Sequence, residues 1–156
     1  MTQKFIIDGE APASQIGATL EALAATIADR RGAGEESYTY RLLNGRPDSL
    51  LKKVMEEAGE VALAAKDADG LGDALARHRK MPDVPAGRID NLQARYEAAL
   101  DHLRYEAADE LYHLMVLLER YGIGLDELAA ELNTRMEEGE RPRGGAVLKP
   151  EHVNRG

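Results

Sequence analysis

Residues 100–118 read LDHLRYEAADELYHLMVLL, and this stretch decides the fold class. Its apolar side chains recur at steps of three and four residues, which is the period of one face of an α-helix. They are Leu100, Leu103, Ala107, Leu111, Leu114 and Leu118. Gly122 follows, where glycine commonly ends a helix. We therefore predict a long amphipathic helix from about Ile89 to Tyr121.

Three further stretches show the same helical period. Their apolar positions are Ile16, Leu20, Leu23 and Ile27 in the first, Leu50, Val54, Val61 and Ala65 in the second, and Leu125, Leu128, Leu132 and Met136 in the last. The second helix is predicted to begin after Pro47, with Asp48 or Ser49 as its cap, and to fade near Gly70. Residues 70–87 contain prolines and glycines and are assigned to a loop, with a short helix as the alternative.

The composition agrees with an all-α protein. Aromatic strand formers are scarce, with one Phe and no Trp among 156 residues. Amphipathic helices joined by short or medium connections indicate a helical bundle of four to five helices. We predict an irregular lead-in over residues 1–13, an all-α domain over residues 14–138 and a flexible tail over residues 139–156.

The charge and the cysteine count exclude several classes of function. The formal net charge is −8, whereas a protein that binds nucleic acid by its backbone usually presents a basic surface. An acidic protein can still bind phosphates when a metal ion lies between its carboxylates and the ligand. The chain has no cysteine, so disulfide and thiolate chemistry are excluded. With neither a signal peptide nor an apolar run of membrane-spanning length, a cytoplasmic protein without a membrane partner is expected.

Two acidic clusters lie on the predicted helices. Glu57 and Glu60 are three residues apart on one helix, and Glu106 and Asp109 are three apart on another. On a helix this spacing puts both side chains of a pair on one face. Two oxygen ligands from each of two facing helices would suit Mg²⁺, or alternatively Mn²⁺.

The position of Glu57 separates two interpretations of these acids. Glu57 lies three residues after Val54 and four before Val61, so it falls within the apolar stripe. Like-charged carboxylates beside a core are costly unless a cation compensates them, which favours a metal site. The alternative is a solvent-exposed acidic face, as on many glutamate-rich helices.

Four other residues have two interpretations each. Lys53 either pairs with the acids three and four residues later or binds a phosphate next to a metal. Arg30 and Arg31 either favour the helix dipole or contact a phosphate, since glycines beside them leave room. His113 is expected to be a core residue or to contact a metal ligand, because hard cations prefer oxygen. The other three histidines give no functional signal.

Taken in order along the chain, these residues resemble the phosphoribosyl-ATP pyrophosphatase family, within the all-α, MazG-like nucleotide pyrophosphatase superfamily. The matching segments are Arg30-Arg31-Gly32-Ala33, Ser37-Tyr38-Thr39, Gly45, Lys53, Glu56-Glu57-Ala58-x-Glu60-Val61, Ala65-Lys66, Glu106-Ala107-Ala108-Asp109-x-Leu111-Tyr112-His113 and Tyr121-Gly122-Ile123-Gly124-Leu125-Asp126-Glu127-Leu128. The similarity covers roughly residues 16–67 and 104–136.

The resemblance implies Mg²⁺-dependent hydrolysis of phosphoribosyl-ATP to phosphoribosyl-AMP and pyrophosphate, the second step of histidine biosynthesis. It also implies a homodimer, or a larger homo-oligomer, whose helices complete each other's core. The implied roles are metal ligation by Glu57, Glu60, Glu106 and Asp109, catalysis by Glu56 and Glu57 with Glu56 positioning water, and phosphate binding by Lys53, Arg30 and Arg31.

The chain departs from the family pattern at two places. Residues 67–104 are longer than the segment that usually separates the two acidic motifs, which we interpret as an insertion at about 70–100. Ser49 stands where the family often has a lysine. Two alternatives therefore stay open: a MazG-like pyrophosphatase acting on a standard or damaged dNTP, and a non-catalytic helical module that binds a partner protein.

Overall fold

The computed structural model describes residues 4–153, and within them the chain forms five α-helices and no β-strand. The helices are α1 (Gln15–Asp29), α2 (Tyr38–Asn44), α3 (Pro47–Lys80), α4 (Ala86–Arg120) and α5 (Leu125–Arg135). The all-α prediction is therefore confirmed. The outermost residues of the predicted lead-in and tail, 1–3 and 154–156, lie outside the described part of the chain.

The chain divides into two compact units. One unit runs from Gly45 to Leu117 and contains α3 and most of α4. The other contains the described residues up to Asn44 together with those from Leu118 onward. No helix within residues 4–153 is both long and apolar enough to cross a membrane.

In the first of these units α3 and α4 form a helical hairpin, and here one prediction is wrong. The loop predicted for residues 70–87 is in fact helix up to Lys80, and the connection occupies only residues 81–85. Helix α3 continues because Ala68 and Leu75, seven residues apart, are both buried on one face. Gly72 does not end the helix, since it lies against the ring of Tyr96 on α4, where a Cβ atom would come within 3.1 Å of Tyr96 Cε2.

The start of α3 also differs from the prediction. The capping position is Arg46 rather than Asp48 or Ser49, and Pro47 is the first helical residue. Proline is favoured there because its fixed φ suits the helix and its missing N–H would have no intrahelical partner. Asp48 lies in the first turn, where a negative charge favours the helix dipole.

The end of α4 follows the glycine signal in the sequence. Gly122 adopts a φ of +72°, a left-handed conformation that glycine takes without strain. The Gly122 N–H donates to the Glu119 carbonyl, and the Ile123 N–H donates to the Leu118 carbonyl at 2.9 Å. This is the Schellman pattern, and it satisfies two carbonyls at the helix end.

The second unit is held together by long-range hydrogen bonds from side chains to backbone. Arg120 donates to the Leu42 and Leu43 carbonyls at the end of α2, at 2.7 and 2.9 Å. Asn133 on α5 donates to the Ala146 carbonyl, which ties the segment after α5 back onto that helix. Carbonyls at a helix end lack intrahelical partners, so the Arg120 contacts stabilise α2.

Candidate metal and substrate site

The candidate site lies on the facing sides of α3 and α4. On α3, Glu57 is 4% exposed and stands seven residues from each of the buried residues Leu50 and Ala64. On α4, Glu106 is 8% exposed and stands seven residues before the buried His113. Each acid therefore occupies a place in the hairpin's packed interior that an apolar residue would ordinarily fill. Burial of carboxylates on this scale requires compensating partners.

Three of the predicted ligands come together. Glu57, Glu60 and Glu106 each offer a carboxylate oxygen, and the three oxygens lie within 4.8 Å of one another. Oxygens on opposite sides of an octahedral Mg²⁺, at about 2.1 Å each, are roughly 4.2 Å apart. Small side-chain movements would therefore suffice to place all three oxygens around one ion. The donors are hard oxygen atoms, which is the set that Mg²⁺ and Mn²⁺ prefer.

The electrostatics of Glu60 show the repulsion that a cation would relieve. Its pKa is raised, first by a hydrogen bond shared with the Glu57 carboxyl group and then by the negative charge of Glu57, with Glu106 adding to it. The three acids therefore repel one another, and a divalent ion among their oxygens would offset that repulsion, so the residues present fit a metal.

Lys53 supplies positive charge to this cluster. Its Nζ lies 2.8 Å from Glu57 Oε1 and 3.2 Å from Glu56 Oε2. The hydrogen bond to Glu57 is the main reason that the pKa of Lys53 is raised, and the bond to Glu56 is the second. The same Lys53 bond holds the pKa of Glu57 below its usual value despite burial. Both groups are therefore charged at neutral pH.

Glu56 lies beside the three acids but is turned to the lysines. Its Oε1 pairs with Lys52 at 3.2 Å, in addition to the Lys53 contact. The hydrogen bond from Lys52, followed by that from Lys53, lowers the pKa of Glu56. Glu56 is thus an ionised, solvent-accessible carboxylate that can accept a hydrogen bond from water.

Asp109 is placed differently from the other three predicted ligands. Among the described residues, the acids whose oxygens lie within 4.8 Å of one another do not include Asp109. The negative charge of Asp109, and a hydrogen bond to it, raise the pKa of the Tyr105 phenol. Asp109 lies half-buried on α4, one helical turn after the exposed Tyr105.

His113 is buried within the hairpin, next to Glu57. Its Nδ1 is 2.9 Å from the Asp109 carbonyl and 3.7 Å from Glu57 Oε1. The carbonyl is an acceptor only, so Nδ1 carries the hydrogen and donates it. His113 thus links the backbone of the α4 acidic motif to the buried acid of α3.

The two predicted arginines belong to the other unit. Arg31 Nη2 donates to the Glu119 carbonyl at 2.7 Å and contacts Glu119 Oε1 at 3.0 Å. Arg30 is exposed in the 3₁₀ turn Arg30–Gly32 that follows α1. Arg31 would have to leave Glu119, at least in part, in order to bind a phosphate.

Sequence reasoning missed His102, which contacts the acid cluster. Its Nε2 lies 2.7 Å from Glu106 Oε1. The available signal was the four-residue spacing from His102 to Glu106, which places both side chains on one helix face. Lys53 and Glu57 have the same spacing and are likewise in contact, at 2.8 Å.

Comparisons with known proteins agree with the resemblance in the sequence. The family described as PRA-PH, Phosphoribosyl-ATP pyrophosphohydrolase, matches residues 20–136. The Phosphoribosyl-ATP pyrophosphatase of Paracidovorax citrulli is 35% identical, over 86% of this chain and 82% of its own. The proteins of that name from Dechloromonas aromatica and Methylobacterium radiotolerans are 32% and 38% identical, over 74% and 75% of this chain and 81% and 82% of their own. No solved structure matches. The chain belongs to the phosphoribosyl-ATP pyrophosphohydrolase family.

Proposed function

We propose that this protein hydrolyses phosphoribosyl-ATP to phosphoribosyl-AMP and pyrophosphate, the second step of histidine biosynthesis, with Mg²⁺ held by Glu57, Glu60, Glu106 and Asp109. Family membership supports the reaction and the substrate. The observation that supports the site is the group of three carboxylate oxygens within 4.8 Å, two of them on buried side chains. In this reaction water adds across the phosphoanhydride bond between the α and β phosphates, and pyrophosphate leaves.

The carboxylates would hold the metal between the protein and the triphosphate. When bound, the metal neutralises phosphate charge and lowers the pKa of a water molecule. Glu57 and Glu106 are suited to fixed positions because both are buried and each contacts a nitrogen on its own helix, at 2.8 and 2.7 Å. Asp109 would complete the set by turning toward the other three carboxylates. Catalysis of this kind consists mainly of positioning and electrostatic stabilisation.

Glu56 and Lys53 would act on the substrate side. Glu56 is ionised and accessible, so it can orient the attacking water and accept its proton. The Lys53 side chain is 36% exposed, and its ammonium group bridges Glu56 and Glu57 at the edge of the cluster. From there it can donate to a phosphate oxygen while it still balances the charge of Glu57. Arg30 and Arg31 are proposed as additional phosphate contacts.

We further propose that the protein is a homodimer. Leu51, Met55 and Leu63 are 43%, 77% and 68% exposed and follow one another along α3 at steps of four and eight residues. An apolar stripe of this kind on a helix surface is typical of a helix that packs against another. Light scattering coupled to gel filtration measures the mass. The variant Met55→Asp is expected to shift a dimer toward the monomer. A monomeric wild type would contradict the proposal.

The deciding experiment is pyrophosphate release from phosphoribosyl-ATP, with dATP, dCTP, dUTP and ATP in parallel, with and without Mg²⁺. Metal-dependent release from phosphoribosyl-ATP alone would support the proposal. Release from deoxynucleoside triphosphates alone would keep the metal site and replace the substrate. Release from none of them, together with no uptake of Mg²⁺ by calorimetry, would favour the non-catalytic helical module.

A further inference from the structure

His102 lies at the outer edge of the acid cluster and contacts one of its buried members. The imidazole side chain is 58% exposed, whereas the Glu106 side chain it contacts is 10% exposed. The contact joins His102 Nε2 to Glu106 Oε1 at 2.7 Å, well within ion-pair distance. Glu106 thus reaches from the hairpin interior to a donor at the surface.

The chemistry of the two groups shows which atom carries the hydrogen in this contact. A carboxylate oxygen offers lone pairs and the imidazole nitrogen can carry an N–H, so His102 is the donor side of the contact. A carboxylate has about four acceptor positions on its two oxygens, and His102 uses one of them. The remaining positions stay available to a metal ion while the carboxylate can no longer rotate freely about its last bond.

The relation of His102 to Glu106 repeats that of Lys53 to Glu57. In both pairs a donor four residues earlier on the same helix contacts Oε1 of a buried acid, at 2.7 Å on α4 and 2.8 Å on α3. Ligating carboxylates in metal sites commonly have polar side chains placed against them, and these contacts fix the orientation of the ligand. The two buried acids, one from each helix, are therefore both oriented from their own helix.

We propose that His102 is a positioning residue, which orients the Glu106 carboxylate for binding of the divalent metal. The inference rests on the proposed function, because it requires Glu106 to be a metal ligand. His102 does not touch the substrate. Its imidazole acts through Glu106, by holding that carboxylate in the orientation that faces Glu57 and Glu60.

The test is calorimetric titration of the metal-free protein with Mn²⁺, which binds oxygen ligands more tightly than Mg²⁺ does in most sites. Three variants are compared with the wild type. H102L removes the donor, H102Q keeps an N–H donor at a similar reach, and R104L removes a charged side chain from the exposed surface two residues away. Arg104 pairs with Asp101 at the surface. Circular dichroism melting confirms that each variant is folded.

H102L is expected to weaken Mn²⁺ binding by about 10- to 100-fold, the usual effect of losing a residue that orients a metal ligand. H102Q is expected to restore most of the affinity, and R104L to bind as the wild type does. In turnover assays H102L should raise the Mg²⁺ concentration for half-maximal rate more than it changes the KM for substrate at saturating Mg²⁺.

Other outcomes overturn the inference, and they separate it from the proposed function. A wild type that binds Mn²⁺ together with an H102L variant of equal affinity would overturn the role of His102 alone. Tighter binding by H102L would show that the imidazole competes with the metal for Glu106, which also contradicts positioning. A wild type that takes up no Mn²⁺ would overturn the metal site itself.

Discussion

The two halves of the α3–α4 hairpin contain similar numbers of charged residues, but these side chains differ in burial and in their partners. The inner half comprises residues 47–64 and 102–117, and the outer half comprises residues 65–80 and 86–101. In the inner half, Glu57 and Glu106 are buried, and each lies in ion-pair contact with a nitrogen on its own helix. In the outer half, Arg79 donates to Gln93, which donates to Glu97, all on the exposed surface.

The difference shows that charge content alone does not identify a site in a helical hairpin. An exposed polar chain contributes little to stability, because water competes for each bond. A buried carboxylate that keeps its charge loses hydration and is retained only where partners compensate it. Substitutions in the inner half should therefore change activity strongly, while matched substitutions in the outer half should not.

The largest effect is expected for Glu57→Gln. The amide keeps the size of the side chain but loses the charge that would hold the metal. Metal-ion stabilisation of the transition state is worth several kcal/mol and each ~1.4 kcal/mol is a factor of ten, so turnover should fall roughly a thousandfold or more. Pyrophosphate release at saturating Mg²⁺ measures it, with circular dichroism as the check on folding.

Glu97→Gln is the matched control for that experiment. It makes the same chemical change on the exposed surface of the outer half and should retain the wild-type rate. Full activity in purified Glu57→Gln would contradict the metal assignment, and a large loss in Glu97→Gln would remove the distinction between the two halves.

The next largest effect is expected for Asp109→Asn. Asp109 stands apart from the three-oxygen cluster, so its role as a ligand requires the carboxylate to turn. If it does, loss of this ligand should lower turnover by about a hundredfold or more, comparable to loss of one strong electrostatic contact to a transition state. Asp90→Asn in the outer half is the control. An Asp109→Asn enzyme with wild-type turnover and Mn²⁺ affinity would limit the site to three carboxylates.

Helical periodicity predicted the inner half and the α4 part of the outer half, but it missed the end of α3 beyond Gly70, for a physical reason. The apolar stripe of α4 is continuous, so its period is visible in the sequence. Gly70 and Gly72 resemble the glycines that commonly end helices. The helix nevertheless continues, because Gly72 packs against Tyr96, which is 24 positions away in the sequence. Local signals cannot reveal a contact of that range, and the predicted loop was wrong for that reason.

The candidate site was predictable as a set of acids and less so as a geometry. The three-residue spacings placed Glu57 with Glu60 and Glu106 with Asp109 on common faces, because that follows from the helix alone. Which oxygens approach one another depends on how α3 and α4 are rotated about their axes, so the separate position of Asp109 could not be inferred. His102 was missed because a histidine one turn before an acid is ordinarily a surface contact.

A smaller effect is expected for Lys53→Met, which tests the cation of the inner half. Methionine keeps the apolar stem but removes the ammonium group that contacts Glu57 and Glu56. Loss of a charge-assisted bond to phosphate costs about 1.5–3 kcal/mol, so kcat/KM should fall roughly 10- to 100-fold. Steady-state kinetics with phosphoribosyl-ATP measures the change, and Lys80→Met at the end of α3 is the control. An unchanged kcat/KM would leave Lys53 with the ion-pair role alone.

Glu110 also lies in the inner half, but unlike Glu57 and Glu106 it has a buried oxygen without a partner among the described residues. Its substitution should therefore change the stability of the protein. Among the buried side-chain polar atoms of residues 4–153, Glu110 Oε2 has no hydrogen-bond partner. An unsatisfied buried oxygen costs about 1–3 kcal/mol, so Glu110→Met should stabilise the protein by ~1 kcal/mol, or about 2–4 °C in Tm. Thermal unfolding measures it, with Glu110→Gln as a variant that keeps a polar group. A lower Tm in Glu110→Met would show that Glu110 has a partner in the assembled protein.

The smallest effect is expected in the outer half, where two glycines in the interior of α3 form a matched pair. A Cβ atom at Gly70 would meet nothing within 4 Å, whereas one at Gly72 would lie 3.1 Å from the Tyr96 ring. Alanine restricts the unfolded chain and favours the helix, so Gly70→Ala should add roughly 0.5–1 kcal/mol to the free energy of unfolding. Gly72→Ala should add less or destabilise, because the Tyr96 ring must move. Urea unfolding measures both, and pyrophosphate release should stay at the wild-type rate in each. Equal stabilisation by the two changes would mean that the Gly72–Tyr96 contact does not constrain α3. A loss of activity in Gly70→Ala would mean that the outer half takes part in the reaction.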